Sequence, residues 1–200
     1  MGYGCHRPYK RATPQGQGQA CPPTLRGPFT NIQQVKEWEE RNGNDTYLYL
    51  IRGKKKVGKK KVHAYYCGQA YKQSAGKRIS NKHHHIEEVA QATDHLCIYI
   101  AKFAGIVPTK KQLDVVENLF ISFLFQHLVK EPDIMLNKQS FYKPKNNCYV
   151  VNNWFSPSMK DIIRYKKESF CKLIPDAICF YAETGAIYGA SKITHIADLN

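Results

Sequence analysis

Apolar, aromatic and β-branched residues gather with a strand-like character in two neighbouring segments. Thr46-Tyr47-Leu48-Tyr49-Leu50-Ile51 is β-branched and aromatic, as a pleated, part-buried strand requires, and Val62-His63-Ala64-Tyr65-Tyr66-Cys67 predicts a second strand of the same kind. The run RGKKKVGKKK, residues 52–61, lies between them with seven basic side chains and two glycines. The three segments together predict a hairpin whose loop is that cationic run. Leu96 to Phe103 is apolar and β-rich and reads as a buried central strand.

Helical spacing appears elsewhere. Ile32, Val35 and Trp38 recur every third residue, predicting a short helix within 28–41 that is capped by Thr30 or Asn31 and ended by Asn42-Gly43-Asn44-Asp45. Residues 75–92 read as a helix carrying Arg78, Lys82 and His85 on one face, because separations of four and seven return to nearly the same azimuth. Pro108-Thr109 opens a third helix, about 110–129. Its core-facing stripe is Leu113, Val116, Phe120 and Leu124, and Glu117 sits among them. A carboxylate in apolar company is costly unless something compensates it. A divalent cation would do so; an arginine partner, or solvent at the stripe's edge, would serve equally well. Further on, 158–173 predicts a helix, and Ala177–Tyr181 with Ala186–Ala190 a hairpin around Glu183-Thr184-Gly185. Residues 1–27, rich in Gly, Pro and Gln, read as a flexible arm, and 68–74 as a loop.

Charge adds what periodicity cannot. Thirty Lys and Arg against sixteen Asp and Glu leave the 200-residue chain at +14, a balance suited to a polyanion, most often nucleic acid. The excess is uneven: +2 over residues 1–45, +9 over 46–140 and +3 over 141–200. A phosphate-binding surface is therefore expected in the middle segment, with Lys54, Lys55, Lys56, Lys59, Lys60 and Lys61 as its densest part. The alternative is a solvated hairpin tip; seven like charges that repel one another favour phosphate contact. No apolar run approaches the roughly 20 residues of a membrane span, and the first residues resemble no secretory signal. Seven cysteines, an odd number without CxxC spacing, suit free thiols in a cytoplasmic, intracellular chain better than disulfides or a zinc site, and no metal-site spacing fits Cys5, His6 and Cys21.

The order of pieces resembles the GIY-YIG nuclease family. Tyr47-Leu48-Tyr49 stands for its first signature, with tyrosine in place of the leading glycine. Tyr66-Cys67-Gly68 stands for the second, with cysteine in the middle. Arg78 in Gly76-Lys77-Arg78 looks like the family arginine, Glu117 like its metal-binding glutamate, and Asn137 like the asparagine that follows. Spacings of 17, 12 and 39 residues join Tyr49, Tyr66, Arg78 and Glu117. The likeness spans residues 46–140. It departs from the family where a histidine often follows the arginine by one turn: Lys82 stands there, with His83, His84 and His85 behind it. Ile187-Tyr188-Gly189 leaves too little chain after it to start the same pattern.

The resemblance implies an α/β (α+β) fold: a small three-stranded, mostly antiparallel sheet flanked by helices, with extensions at 1–45 and 141–200. It implies a metal-dependent endonuclease acting on double-stranded DNA, of which a type II restriction enzyme is the compact form and a mobile-element or repair nuclease another. Homodimerisation on DNA is one arrangement consistent with it. Tyr49 would orient or deprotonate the attacking water, Tyr66 would hydrogen-bond the phosphate or the nucleophile, and Arg78 would grip the phosphate through its planar fork. Glu117 would hold Mg²⁺ or another hard cation such as Mn²⁺. Lys82 or His85, and Asn137, would complete the site. A non-catalytic nucleic-acid-binding module is the competing class.

Overall fold

A computed structural model describes residues 19–20, 23–43, 47–80, 96–103, 107–127, 133–137, 144–155, 174–175 and 177–190. In chain order the elements are β1 (Gln19–Ala20), β2 (Pro23–Phe29), α1 (Ile32–Asn42), β3 (Tyr47–Val57), β4 (Lys60–Ala70), α2 (Ala75–Ser80), β5 (Cys97–Phe103), α3 (Lys110–His127), β6 (Ile134–Met135), β7 (Cys148–Val151), β8 (Asn153–Phe155), β9 (Ala177–Tyr181) and β10 (Ala186–Ala190). The fold is α+β, as expected.

The expected antiparallel trio is present as β4-β3-β5, at the centre of a six-stranded sheet of order β6-β4-β3-β5-β2-β8. Strand β2 pairs antiparallel with β5, and β8 pairs parallel with β2. Residues 23–27, whose composition reads as part of a flexible arm, are therefore strand. Their turn-like residues hide this, but Leu25 is fully buried against the core and supplies the energetic reason. Gly27 takes a positive φ of 137°, and a Cβ there would stand 2.6 Å from the Ile98 carbonyl oxygen, so only glycine fits where β2 bends past β5.

The cationic loop is also shorter than its composition suggests. β3 and β4 pair continuously from Tyr47↔Ala70 to Val57↔Lys60, leaving a two-residue turn, Gly58-Lys59. Gly58 has a φ of 60°, the positive value a tight hairpin needs at its first turn residue. Lysine's weak strand preference is overridden because each cross-strand partner keeps its backbone groups satisfied.

Alternation sorts the sheet into two faces. Tyr47, Tyr49, Ile51, Ala64, Ala70, Ile98 and Ile100 face α1 and α2, packing with Val35, Trp38 and Ile79. Leu48, Leu50, Tyr65, Cys67, Tyr99 and Ala101 face α3. α1 starts at Asn31, whose Oδ1 accepts from the Gln34 N–H at 2.9 Å, and stops at Gly43, φ 83°. A second sheet, β1-β7-β9-β10, covers the far side of α3. Sequence pattern predicts only its β9–β10 hairpin. Being sandwiched explains why Leu119, Phe120, Ile121, Ser122, Phe123 and Leu124 are all buried in succession: that half of α3 has no solvent side. The predicted helix at 158–173 and the continuation of the 75–92 helix past Ser80 lie outside the described residues, as do Cys5, His6 and Cys21. No helix among the described residues is long and apolar enough to cross a membrane.

If β2 belongs to the core, Leu25→Ala should destabilise the protein by about 2–5 kcal/mol, read from urea unfolding. A loss under about 0.5 kcal/mol, the size of an ordinary surface change, would return residues 23–27 to a loose arm.

Candidate active site

Tyr49 and Tyr66 leave adjacent strands on the same face, with ring centroids 6.1 Å apart. Tyr49 is paired across the ladder with Gly68. A Cβ on Gly68 would stand 2.4 Å from Tyr49 Cζ and 2.5 Å from its hydroxyl oxygen. The glycine of Tyr66-Cys67-Gly68 therefore has a steric job: it opens the surface of β4 so that the phenol of Tyr49 can lie across it. Tyr49 is almost fully buried and Tyr66 half-buried. Burial pushes the Tyr49 phenol far above its ordinary value, with the Tyr66 phenol adding to the effect and Arg78 opposing it. Burial raises Tyr66 as well, helped by Glu117, but a hydrogen bond with Tyr49 and the charge of Arg78 pull it back.

Arg78 comes from α2, whose position is set by an acid on α1. Glu39 is 2% exposed, and its carboxylate accepts from Ser74 Oγ, from the Ala75 N–H and, at 2.9 Å, from the Gly76 N–H. These are the first donors of α2, which no intrahelical acceptor can reach. Gly76 lets the helices approach: a Cβ there would stand 2.7 Å from Lys36 Cγ and 2.8 Å from Glu39 Oε2. Arg78 is thus held one turn inside a helix clamped to α1. Its Nε is buried with no hydrogen-bond partner among the described residues.

Glu117 enters from the other layer. β4 has no strand neighbour outside β3 past Cys67 among the described residues, so groups of the two layers come within electrostatic reach around Gly68 and Gln69. Gln69 Nε2 donates to Glu117 Oε2 and, at 2.6 Å, to Asp114 Oδ1. Burial raises the Glu117 carboxyl above its ordinary value; Gln69, Lys110 and Arg78 oppose the rise, and Asp114 adds to it. For Asp114, burial also pushes upward, but hydrogen bonds from Lys110 and Gln69 outweigh it and hold the carboxyl below its usual range.

Tyr49 and Tyr66 are thus neighbours, and Arg78 and Glu117, from two further elements, lie within electrostatic reach of them. Asn137 has a different place. Its Oδ1 accepts from the Cys67 N–H at 2.9 Å and its Nδ2 donates to the Cys67 carbonyl at 2.7 Å. The side chain pairs with β4 as a strand would, directly beside Tyr66 and Gly68. Lys82 and His85 lie outside the described residues. Motif and spacing do not point to Glu39, Gln69 or Asp114. Glu39 carries one signal all the same: it falls four residues after Val35, on the buried stripe of α1.

Among the described residues no three His, Cys, Asp or Glu side chains cluster as a ready metal cage. A hard cation needs less, since Mg²⁺ is commonly held by one or two carboxylates with water and substrate phosphate completing the shell. Glu117 supplies one carboxylate, and Gln69 Oε1, buried without a hydrogen-bond partner among the described residues, supplies an oxygen beside it. The donor set fits such an ion. Comparison with protein-family models, curated proteins and solved structures returned no match.

The two buried acids respond differently to substitution. Glu39→Ala orphans three donors at the start of α2 and should cost roughly 2–4 kcal/mol in urea unfolding. A change below about 0.5 kcal/mol would mean the clamp is not needed. Glu117 behaves oppositely with pH. A carboxyl whose pKa is raised by folding holds more protons folded than unfolded, so stability falls as pH rises from the ordinary carboxylate value through the raised one. Glu117→Gln should therefore raise Tm at pH 7, and the gain should vanish below the carboxylate range. An equal Tm difference at every pH would show that Glu117 is not perturbed.

Proposed function

We propose that this protein is a metal-dependent endonuclease of the GIY-YIG type that hydrolyses DNA phosphodiester bonds. The observation that carries the reading is the convergence of the two tyrosines, Arg78 and Glu117. What supports it is that residues separated by 17, 12 and 39 positions come within electrostatic reach of one another. Two phenols, a guanidinium and a half-buried carboxylate are what phosphodiester hydrolysis asks for: an oriented water, a grip on the phosphate and a counter-charge.

The roles divide by environment. With its phenol buried and neutral, Tyr49 is the orienting hydroxyl, hydrogen-bonded to Tyr66. Tyr66 is the more accessible phenol and, held neutral by burial, hydrogen-bonds the attacking water, whose proton passes to solvent. The water oxygen bonds to phosphorus as the bond from phosphorus to the 3′ oxygen breaks. The buried Nε of Arg78 lies on the fork that grips the phosphate, and that grip is bidentate. A hard divalent ion held by Glu117, beside the Gln69 carbonyl oxygen, would neutralise the charge gathering on the leaving oxygen. Asn137 keeps β4 straight between Tyr66 and Gly68 and so acts through position. The net charge of +14 supplies the general attraction to duplex DNA. Within the class, a type II restriction enzyme is the member that the family resemblance favours.

Incubation with supercoiled plasmid, with and without Mg²⁺ or Mn²⁺, tests this. Nicked and linear products should appear only with metal. Glu117→Gln should lower cleavage by several orders of magnitude while leaving binding intact or tighter, since a negative group near phosphate has gone. Arg78→Lys keeps the charge but loses the planar fork, and should be severely impaired too. Plasmid that is shifted but uncut at every metal concentration would instead identify a non-catalytic binding module.

A further inference from the structure

The register of β3 and β4 divides the lysines that the sequence presents as one block. No shift interrupts the ladder between Tyr47↔Ala70 and Val57↔Lys60, so the two-residue alternation seen in the core continues to the tip. Lys54, Lys56 and Lys61 extend the face that carries Leu48, Leu50 and Tyr65. Lys55 and Lys60 extend the face of Tyr49 and Tyr66, with Lys59 in the turn. β5 pairs with β3 only as far as Arg52, and β6 with β4 only from Ala64. From Lys54↔His63 outward the hairpin has no further strand neighbour among the described residues; it is a two-stranded ribbon, cationic on both faces and exposed from Lys56 to Lys61.

We infer that this ribbon enters the major groove of duplex DNA, its two faces meeting the phosphates of the two opposite walls. The ribbon's role rests on the nuclease reading only in taking DNA as partner. Size and charge carry it. The exposed part is two residues per strand beyond the Lys55↔Val62 pair, about 7 Å at the rise of a β-strand, capped by the Gly58-Lys59 turn, against a groove roughly 8.5 Å deep. A groove about 12 Å wide admits a two-stranded ribbon. A flat anionic surface, whether membrane or acidic protein, would neutralise one face and leave the other's charges repelling one another. A groove neutralises both. Val57, half-exposed beside the turn, would arrive at the base edges, where an apolar side chain meets the thymine methyl. The A-form major groove of RNA is too deep and narrow to admit the ribbon.

The test is binding to a 30-base-pair duplex in EDTA, so that nothing is cut, with salt titration of three full-length proteins. Wild type is compared with Lys54→Ala/Lys56→Ala/Lys61→Ala and with Lys55→Ala/Lys60→Ala. Each phosphate that a variant no longer neutralises flattens the log–log salt slope by about 0.9. Both variants should flatten it, by roughly 1–3 and 1–2 units respectively. Duplex methylated at guanine N7, a major-groove atom, should bind wild type at least tenfold more weakly, and an RNA duplex of the same sequence should do likewise. A slope that responds to one face alone, or indifference of wild type to N7 methylation, overturns the proposal, as does absence of DNA binding. The methylation arm uses unaltered protein, so a variant that fails to fold leaves the test intact. Failed plasmid cleavage with an intact N7 effect would sink the nuclease reading alone. Cleavage with no N7 effect would sink the ribbon alone.

Discussion

One constraint, the register of β3 against β4, determines what the rest of the molecule can do. Pairing Tyr49 with Gly68 puts the phenol over the one residue of that strand segment without a side chain in its way. It also puts Tyr66 on the same face, and sends Leu48, Leu50 and Cys67 to the face that α3 covers. A slip by one residue would drive the tyrosines into the α3 layer and the leucines toward α1. The two hydrophobic layers therefore enforce the register, and the register assembles the tyrosine pair. Asn137 reinforces it from outside by pairing its amide with both backbone groups of Cys67.

Two acids show how one residue type takes opposite parts in such a frame. Glu39 is the more deeply buried, yet three donors from the start of α2 converge on its carboxylate. Its charge is used structurally, to fasten the helix that bears Arg78. Glu117 receives an amide that it shares with Asp114, and burial still holds its carboxyl above the ordinary range. A carboxylate left short of compensation in this way is a place where a cation or a phosphate-bound ion gains most. Asp114, more exposed and bonded to Lys110, has no such deficit. The contrast between the three acids, more than any one distance, is what singles out Glu117 as the acid left short of partners.

How much of this is legible in the sequence follows from where the physics is local. Strands β3, β4 and β5 are readable because aromatic and β-branched residues declare a part-buried strand by themselves. The stripe of Leu113, Val116, Phe120 and Leu124 is readable because helical periodicity is also local. β2 is not: its prolines and glycine argue for a turn, and only β5 and the pocket for Leu25 make it a strand. The ribbon reads as a loop for a related reason, since lysine carries no strand signal and the deciding partner lies on the opposite strand. The tyrosines, Arg78 and Glu117 can be picked out together by order and spacing. Glu39 and Gln69 cannot, because their roles exist only across contacts between distant parts of the chain.

Net charge and site chemistry are separable properties here, and the fold keeps them apart in space. The carboxylate and phenols sit where β4 loses its outer neighbour, in half-buried surroundings that strengthen every charge interaction. The lysines sit at the other end of the same two strands, in water, where a cation acts as a screened, sequence-blind anchor. Because the hairpin is a continuous ladder, the lysines and the tyrosines share one frame, so under the proposed nuclease reading a duplex gripped by the lysines would have its phosphates set at a fixed distance from Arg78. A basic tail on a flexible tether would raise the local concentration of DNA but could not set that distance. Under that reading, the extended ladder would turn a simple run of positive charge into a measuring device for the scissile bond.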